Sequence, residues 1–186
     1  IKDGKSINNS MGFTPLEGLM MNTRCGDIDL GAVFCIMFKE KFSPEEAEKI
    51  LNNKSGVLGV FNSSSDLRDA MKDMGSDKPA KMTFDMYVHR VRAYICFYAV
   101  ILKKADILIF TDSLGQGSSV LRESICRDME FIGIGLDKKL NDAYSGGVSD
   151  ISTASSETRV LVVPTDEEAM IAREAYKEMK KHGTCR

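Results

Sequence analysis

The sequence lacks several features that would place it in a class at once. It has 186 residues, with no tryptophan, two histidines and four prolines. Its formal net charge of -2 leaves no broad basic field, so we expect no nucleic-acid partner. The longest apolar run, residues 93–102, is about half the length of a membrane span, so we expect no membrane segment.

Cysteine and histidine are also sparse, and neither shows a ligand spacing. The five cysteines are scattered without a CxxC pair: Cys25, Cys35, Cys96, Cys126 and Cys185. An odd, scattered set indicates reduced thiols, which predicts a cytoplasmic protein. His89 and His182 do not match a metal-site spacing. We interpret His89 as structural and expect His182 to lie in a frayed end.

Strands and helices alternate in the second half of the sequence. Apolar strands are predicted at 106–111 and 159–163, followed by helices at 118–129 and 166–181. Residues 112–117 between the first pair read as a short loop. This alternation predicts an α/β fold with a mixed sheet flanked by helices.

The first half is mostly helical by pattern. Helices are predicted at 29–41, from Ser43 to 53, from Asp66 onward, and at 79–104, where an apolar stripe at helical spacing predicts a core helix. Ser43, Pro44 and two following acids form a strong helix start. Residues 1–9 read as two strands around a turn, and 54–65 as an irregular loop.

The segment 10–29, SMGFTPLEGLMMNTRCGDID, has neither a helical nor a strand period. Such a stretch indicates a surface loop or a functional site, although a well-packed connection is the other interpretation. Met20 and Met21 within it read as packing residues.

The same segment resembles the start of the second half of acetate kinases. Residues 53–60 (NKSGVLGV), 66–69 (DLRD) and 164–168 (PTDEE) also resemble segments of that family, in the same order. The string FTPLEG at 13–18 favours acetate kinases over butyrate kinases.

The resemblance implies a ribonuclease H-like lobe of the actin-like ATPase superfamily. Residues 1–186 would be the C-terminal, nucleotide-binding lobe, with the N-terminal lobe and the first strand of the sheet absent. The sequence begins at Ile1, so we expect the natural chain to start further upstream. The family transfers a phosphoryl group between ATP and acetate with Mg²⁺, and forms homodimers mainly through this lobe.

Arg24 is the catalytic residue that the resemblance implies. A guanidinium offers a planar fork of donors to phosphoryl oxygens, which phosphoryl transfer needs. The alternative is a structural ion pair with Asp27 or Asp29.

Glu167 is the residue that the resemblance places on Mg²⁺. Mg²⁺ takes one or two carboxylates together with waters and phosphates, which suits a single glutamate. Glu168 is a weaker candidate for the same role, and a carboxylate in the first turn of a helix can also serve only the helix dipole.

The resemblance also implies a nucleotide pocket. Asp66, Leu67 and Arg68 match the segment that lines the adenosine, where Arg68 would lie against the base and Asp66 would reach a ribose hydroxyl. The other interpretation is a helix cap followed by a solvated arginine.

The second nucleotide segment departs from the family. There the loop reads Thr-Ala-Gly-Ile-Gly-Glu-Asn, and here Asp112 precedes Ser113, Leu114, Gly115, Gln116 and Gly117. Ser113 replaces a glycine that allows close backbone approach and positive φ, and Asp112 adds a negative charge near an anionic nucleotide. We interpret this as weakened ATP binding or another donor such as pyrophosphate; tolerated drift is the alternative.

Several family elements are missing from these residues, among them the Gly-Asn-Gly phosphate loop, the catalytic histidine and the second active-site arginine. Without them the site is neither closed nor able to align acetate. The chain alone should therefore not catalyse, and a truncated lobe that only folds and dimerises is the competing interpretation.

Overall fold

The computed structural model describes residues 1–181, so His182 and Cys185 lie outside the described residues. The chain divides into two compact units. The first contains Ile1–Ala105 and Ser124–Cys126, and the second contains Asp106–Glu123 and the residues from Arg127 onward.

Helices make up the first unit. Its five helices are α1 (Leu30–Glu40), α2 (Pro44–Asn53), α3 (Gly56–Phe61), α4 (Leu67–Asp73) and α5 (Lys78–Leu102). Polar side chains fix four of the starts. Asp29, Ser43, Asp66 and Asp77 each accept a hydrogen bond from a backbone N–H in the first turn of the following helix, and Ser43 forms a full capping box with Glu46.

The core of the first unit lies where α3 and α4 pack against α5. Val57, Leu67 and Ala70 are at most 1% exposed there, and Phe84 and Val88 of α5 are buried beside them. The predicted core helix is therefore confirmed for its first half. Its second half is only partly buried.

Two expectations for the first unit are wrong. Residues 54–65 contain α3, which forms because Val57 and Phe61 bury their side chains in the core. The predicted hairpin at 1–9 is reduced to a single bridge between Lys2 and Lys5 around a turn at Asp3 and Gly4.

A small mixed sheet organises the second unit, as predicted. β1 (Ile107–Phe110) runs parallel to β3 (Arg159–Val162), with Ile107 opposite Arg159, and β2 (Ser149–Asp150) runs antiparallel to β3. The strand order is β1-β3-β2. The central strand is the buried one, because Val160 and Val162 are fully covered.

Helices flank this sheet along the chain. They are α6 (Asp112–Gly117), α7 (Ser119–Cys126), a 3-10 turn (Glu130–Ile132), α8 (Lys138–Asp142) and α9 (Glu167–Lys181). The last three residues of α7, Ser124–Cys126, belong to the first unit. The α/β class with a mixed sheet and flanking helices is thus confirmed, and the expected helices at 118–129 and 166–181 are present within a few residues.

Two expectations for the second unit are wrong. Residues 112–117 form the short helix α6 instead of a loop. β1 is not buried throughout, since Ile107 and Ile109 are about half exposed. β1 lies at an edge of the sheet, where a strand is covered less than the central one.

No helix among residues 1–181 combines the length and the apolar character needed to cross a membrane.

Candidate active site

Glycines build the segment 10–29 into a compact loop. Gly26 has φ +70°, and a Cβ there would lie 2.6 Å from the carbonyl oxygens of Gly18 and Leu19. Gly56, at the start of α3, has φ +60°, and its Cβ would lie 2.1 Å from the Met21 oxygen and 2.6 Å from the Arg24 oxygen. The backbone around Arg24 therefore packs against α3 at distances that only glycine permits.

Asp27 ties this loop together and to α5. Its carboxylate accepts hydrogen bonds from the Gly18 N–H (2.8 Å), from Nη1 of Arg90 (2.9 Å) and from the Tyr94 hydroxyl (2.9 Å). Nη2 of Arg90 also donates to the Asp27 carbonyl at 3.2 Å. Burial, together with the hydrogen bond to Asp27, raises the pKa of Tyr94 to about 12. Three donors thus hold a part-buried carboxylate in place.

Arg24 lies between two anchored neighbours. The Thr23 hydroxyl donates to the Asn52 carbonyl at 2.9 Å, and the Cys25 N–H donates to the Leu51 carbonyl at 3.0 Å. These bonds tie both sides of Arg24 to the end of α2. The half-buried side chain of Arg24 therefore extends from a stretch of backbone that is held in place on both sides.

The ion-pair interpretation of Arg24 is wrong in this structure. Asp27 pairs with Arg90, and Asp29 caps α1. Within residues 1–181, no carboxylate lies within ion-pair distance of the Arg24 guanidinium. The guanidinium thus remains available to an anion.

Asp66 and Arg68 form a forked ion pair at the start of α4. Nε of Arg68 lies 3.0 Å from both carboxylate oxygens of Asp66, and Nη2 lies 2.5 Å from one of them. The Arg68 side chain and its backbone N–H lower the pKa of Asp66 to about 2. Leu67 between them is 1% exposed, so only its backbone can face a ligand.

The segment 113–117 is held by a residue that the sequence did not single out. The guanidinium of Arg122, 1% exposed, donates to the carbonyls of Gly115 (2.8 Å) and Gln116 (2.7 Å), and to the Asn141 side chain (2.7 Å). The positive φ in this segment is +62° at Asp112, one residue before Ser113. Ser113 does not have a left-handed backbone, so replacing the family's glycine by serine at this position causes no backbone strain.

Glu167 begins α9 and is exposed. The Asp166 side chain precedes it and accepts from the Ala169 N–H at 2.9 Å, which leaves Glu167 free of the capping role. Within the described part of the chain, no group of three or more His, Cys, Asp or Glu side chains could hold a metal by itself. A lone carboxylate fits a Mg²⁺ ion whose other ligands are phosphates and waters.

The candidate residues fall into the two units. Arg24 and the Asp66–Arg68 segment belong to the first, and Ser113, Leu114, Gly115, Gln116, Gly117 and Glu167 belong to the second. The Asp27–Arg90–Tyr94 cluster was missed. Its members are 63 and 67 positions apart in the sequence, and no local pattern joins them.

Two of the cavities in the first unit are larger than 400 Å³. One, of about 440 Å³, lies among α3, α5 and the end of the glycine-built loop, and Asp27, Lys54 and His89 are among its lining residues. The other, of about 460 Å³, lies between residues 8–12 and α5. Neither is lined by Arg24, Asp66 or Arg68.

The mixed sheet, its flanking helices and an arginine on a glycine-built loop define part of an actin-like α/β lobe. The acetokinase family model matches residues 1–173. The chain belongs to the acetokinase family.

Relatives and solved structures agree with this assignment. The acetate kinase of Bacteroides thetaiotaomicron is 47% identical over 182 residues, which cover 97% of this chain and 46% of that protein. The acetate kinase of Moorella thermoacetica is 47% identical over 176 residues, or 94% of this chain and 44% of that protein. The chain therefore spans about half the length of the curated relatives it matches.

The crystal structure of Porphyromonas gingivalis acetate kinase matches with a TM-score of 0.85 and 41% identity, covering 90% of this chain and 42% of that one. A propionate kinase from Francisella tularensis matches with a TM-score of 0.85 and 34% identity, covering 92% and 44%.

Proposed function

We propose that this chain is the C-terminal, nucleotide-binding lobe of an acetate kinase. The full-length protein would transfer a phosphoryl group between ATP and acetate and form acetyl phosphate and ADP. The observation that carries the proposal is Arg24, whose guanidinium has no carboxylate partner in residues 1–181 while the backbone on both sides is anchored. A fixed, uncommitted guanidinium suits charge that develops on a moving phosphoryl group.

The candidate nucleotide-binding residues come from the resemblance, and each unit is considered by itself. The exposed Arg68 face, held by Asp66, suits stacking on adenine, and the remaining Asp66 lone pairs suit a ribose hydroxyl. Leu67 would contribute its backbone. Ser113, Leu114, Gly115, Gln116 and Gly117 would present α6, whose carbonyls Arg122 already holds in place.

Mg²⁺ would be held by Glu167 together with nucleotide phosphates. The ion supplies charge neutralisation on the phosphate oxygens when bound. Glu167 is suited to this because it is exposed and makes no salt bridge within the described residues. Its contribution is to orient the metal–nucleotide complex.

Acetate alignment and exclusion of water would need the half of the relatives that this chain does not span. We therefore propose a cytoplasmic homodimeric enzyme as the full-length state, and expect no acetate-dependent ADP formation from the 186 residues alone.

The test is Arg24→Ala in the full-length protein, with Arg127→Ala as a matched control on an exposed arginine. Arg24→Ala should lower kcat by about 100-fold or more while the KM for ATP changes little, because the contact is made in the transition state. Arg127→Ala should leave both constants within about two-fold. A kcat within a few-fold of the parent for Arg24→Ala would remove the basis of the proposal.

A second donor is favoured by one observation. Asp112, the first residue of α6, has a left-handed backbone, and its carboxylate adds a negative charge at a position where the family's loop has alanine. Comparison of turnover with ATP and with pyrophosphate decides between donors. Absence of turnover with both would favour the inert, dimerising lobe.

A further inference from the structure

The 440 Å³ cavity in the first unit is separate from the residues assigned to phosphoryl transfer. Arg24, Asp66, Arg68, Glu167 and residues 113–117 do not line it. Its volume falls within the range of about 300–1,000 Å³ that small-molecule sites occupy.

Its walls are fixed by the fold. Gly56, in the lining, is held against the Met21 and Arg24 carbonyls, and Asp27 is held by Arg90 and by Gly18. A cavity whose walls are already ordered costs little further ordering when a ligand enters.

Apolar side chains supply much of the lining. Met20, which is 6% exposed, lies there with Ile28, Val60 and Met86. Methionine side chains adapt to irregular apolar ligands, so this part of the cavity suits a short hydrocarbon body.

The available charge in the lining is positive. The one carboxylate, Asp27, already accepts from three donors. The side chains of Lys54 and His89 make neither a salt bridge nor a hydrogen bond within residues 1–181, and both line the cavity. A ligand head group would therefore meet an uncommitted ammonium and an uncommitted imidazole.

We propose that this cavity binds an amphipathic carboxylate, with its apolar body on the two methionines and its carboxylate on Lys54 and His89. Acetate has no body to occupy the apolar part, so the proposed ligand differs from the substrate of the proposed reaction. The inference does not depend on that reaction.

The proposal is tested with three probes that have a six-carbon chain and differ in the charge of the terminal group: hexanoate, hexan-1-ol and hexylammonium. The readout is the ¹³C-methyl NMR signals of Met20 and Met86, each assigned by its Met→Leu variant, with Met170 of α9 as the reference. Hexanoate should move the Met20 and Met86 signals with saturation and leave Met170 unchanged. Hexan-1-ol should bind more weakly, hexylammonium more weakly still, and acetate should move neither signal.

Lys54→Gln should weaken the binding of hexanoate by about 10-fold, which corresponds to the loss of one charged hydrogen bond, and leave the binding of hexan-1-ol unchanged. Lys49→Gln, at an exposed position of α2, is the matched control and should change the binding of neither probe. The proposal is overturned by unmoved Met20 and Met86 signals, by equal binding of the three probes, or by acetate binding as well as hexanoate. An equal effect of Lys49→Gln would also overturn it.

Discussion

Asp66 and Arg68 hold the start of α4 through a charged pair that is open to solvent. The pKa of Asp66 is lowered from 3.8 to about 2, so its ionised form is favoured in the folded state. Its contribution to stability is present above about pH 4 and is lost as the pH falls through about 2.

Asp66→Asn keeps the capping oxygen and removes the charge. We expect a lower free energy of unfolding at neutral pH by no more than about 1 kcal/mol, because solvent screens an exposed pair. The difference should shrink between pH 4 and 2 in urea unfolding curves. A difference that persists unchanged at the lowest pH would assign the effect to packing.

Gly56 carries a sharper constraint, because a side chain there would overlap the Met21 and Arg24 carbonyls. Gly56→Ala should lower the free energy of unfolding by at least about 2 kcal/mol, from overlap and left-handed backbone together. Gly75→Ala, with nothing within 4 Å of its Cβ, should stay within about 0.5 kcal/mol in the same denaturation assay. Equal effects of the two substitutions would mean that the contact at Gly56 can relax.

At the scale of elements, the backbone of α6 predicts opposite effects on stability for glycine substitutions at two neighbouring residues. Asp112, the first residue of α6, has φ +62°, whereas Ser113, the second, is not among the residues with positive φ. Asp112→Gly should therefore raise stability by about 1 kcal/mol, and Ser113→Gly should lower it by about the same amount. Thermal unfolding of the two variants checks this, and a stabilising Ser113→Gly would contradict it.

The helices that could be predicted are those that carry their own start signals. Asp29, Ser43 and Asp66 cap helices with side chains, so their positions follow from the local sequence. α3 and α6 follow Ser55 and Thr111, which make no such side-chain bond. Those two helices depend on tertiary contacts, which cannot be recognised in the local sequence.

The candidate site divides in the same way. Arg24 is an arginine within a segment that lacks a regular period, and the resemblance of that segment to a family implied a catalytic role for it. Arg90 and Tyr94 look like ordinary positions on a long helix, and only the fold brings them to Asp27. Arg122 was hidden because a buried arginine that holds carbonyls has the same sequence pattern as a solvated one.

At the scale of the whole molecule, α1 is an apolar helix whose side chains are left uncovered. None of its residues is buried, and Phe34 and Phe38 are 54% and 82% exposed. The apolar stripe of α5 would suggest that α5 mediates self-association, but α5 buries residues in the core whereas α1 buries none.

We expect the chain to self-associate through α1. Phe38→Glu should weaken the dimer by at least about 10-fold, while Phe131→Glu, at an exposed phenylalanine of the second unit, should not. Light scattering at micromolar concentration measures both, and a monomeric parent chain would contradict the expectation.

The pairing of Ile107 with Arg159 sets an order for synthesis. A ribosome releases β1 long before β3, and in the described part of the chain both β1 and β2 bond only to β3. Until Val160 and Val162 emerge, β1 is an open strand with two exposed isoleucines, a state that chaperones bind and that aggregates when they are scarce. A nascent chain halted before residue 159 would thus hold a complete set of first-unit helices and none of the sheet.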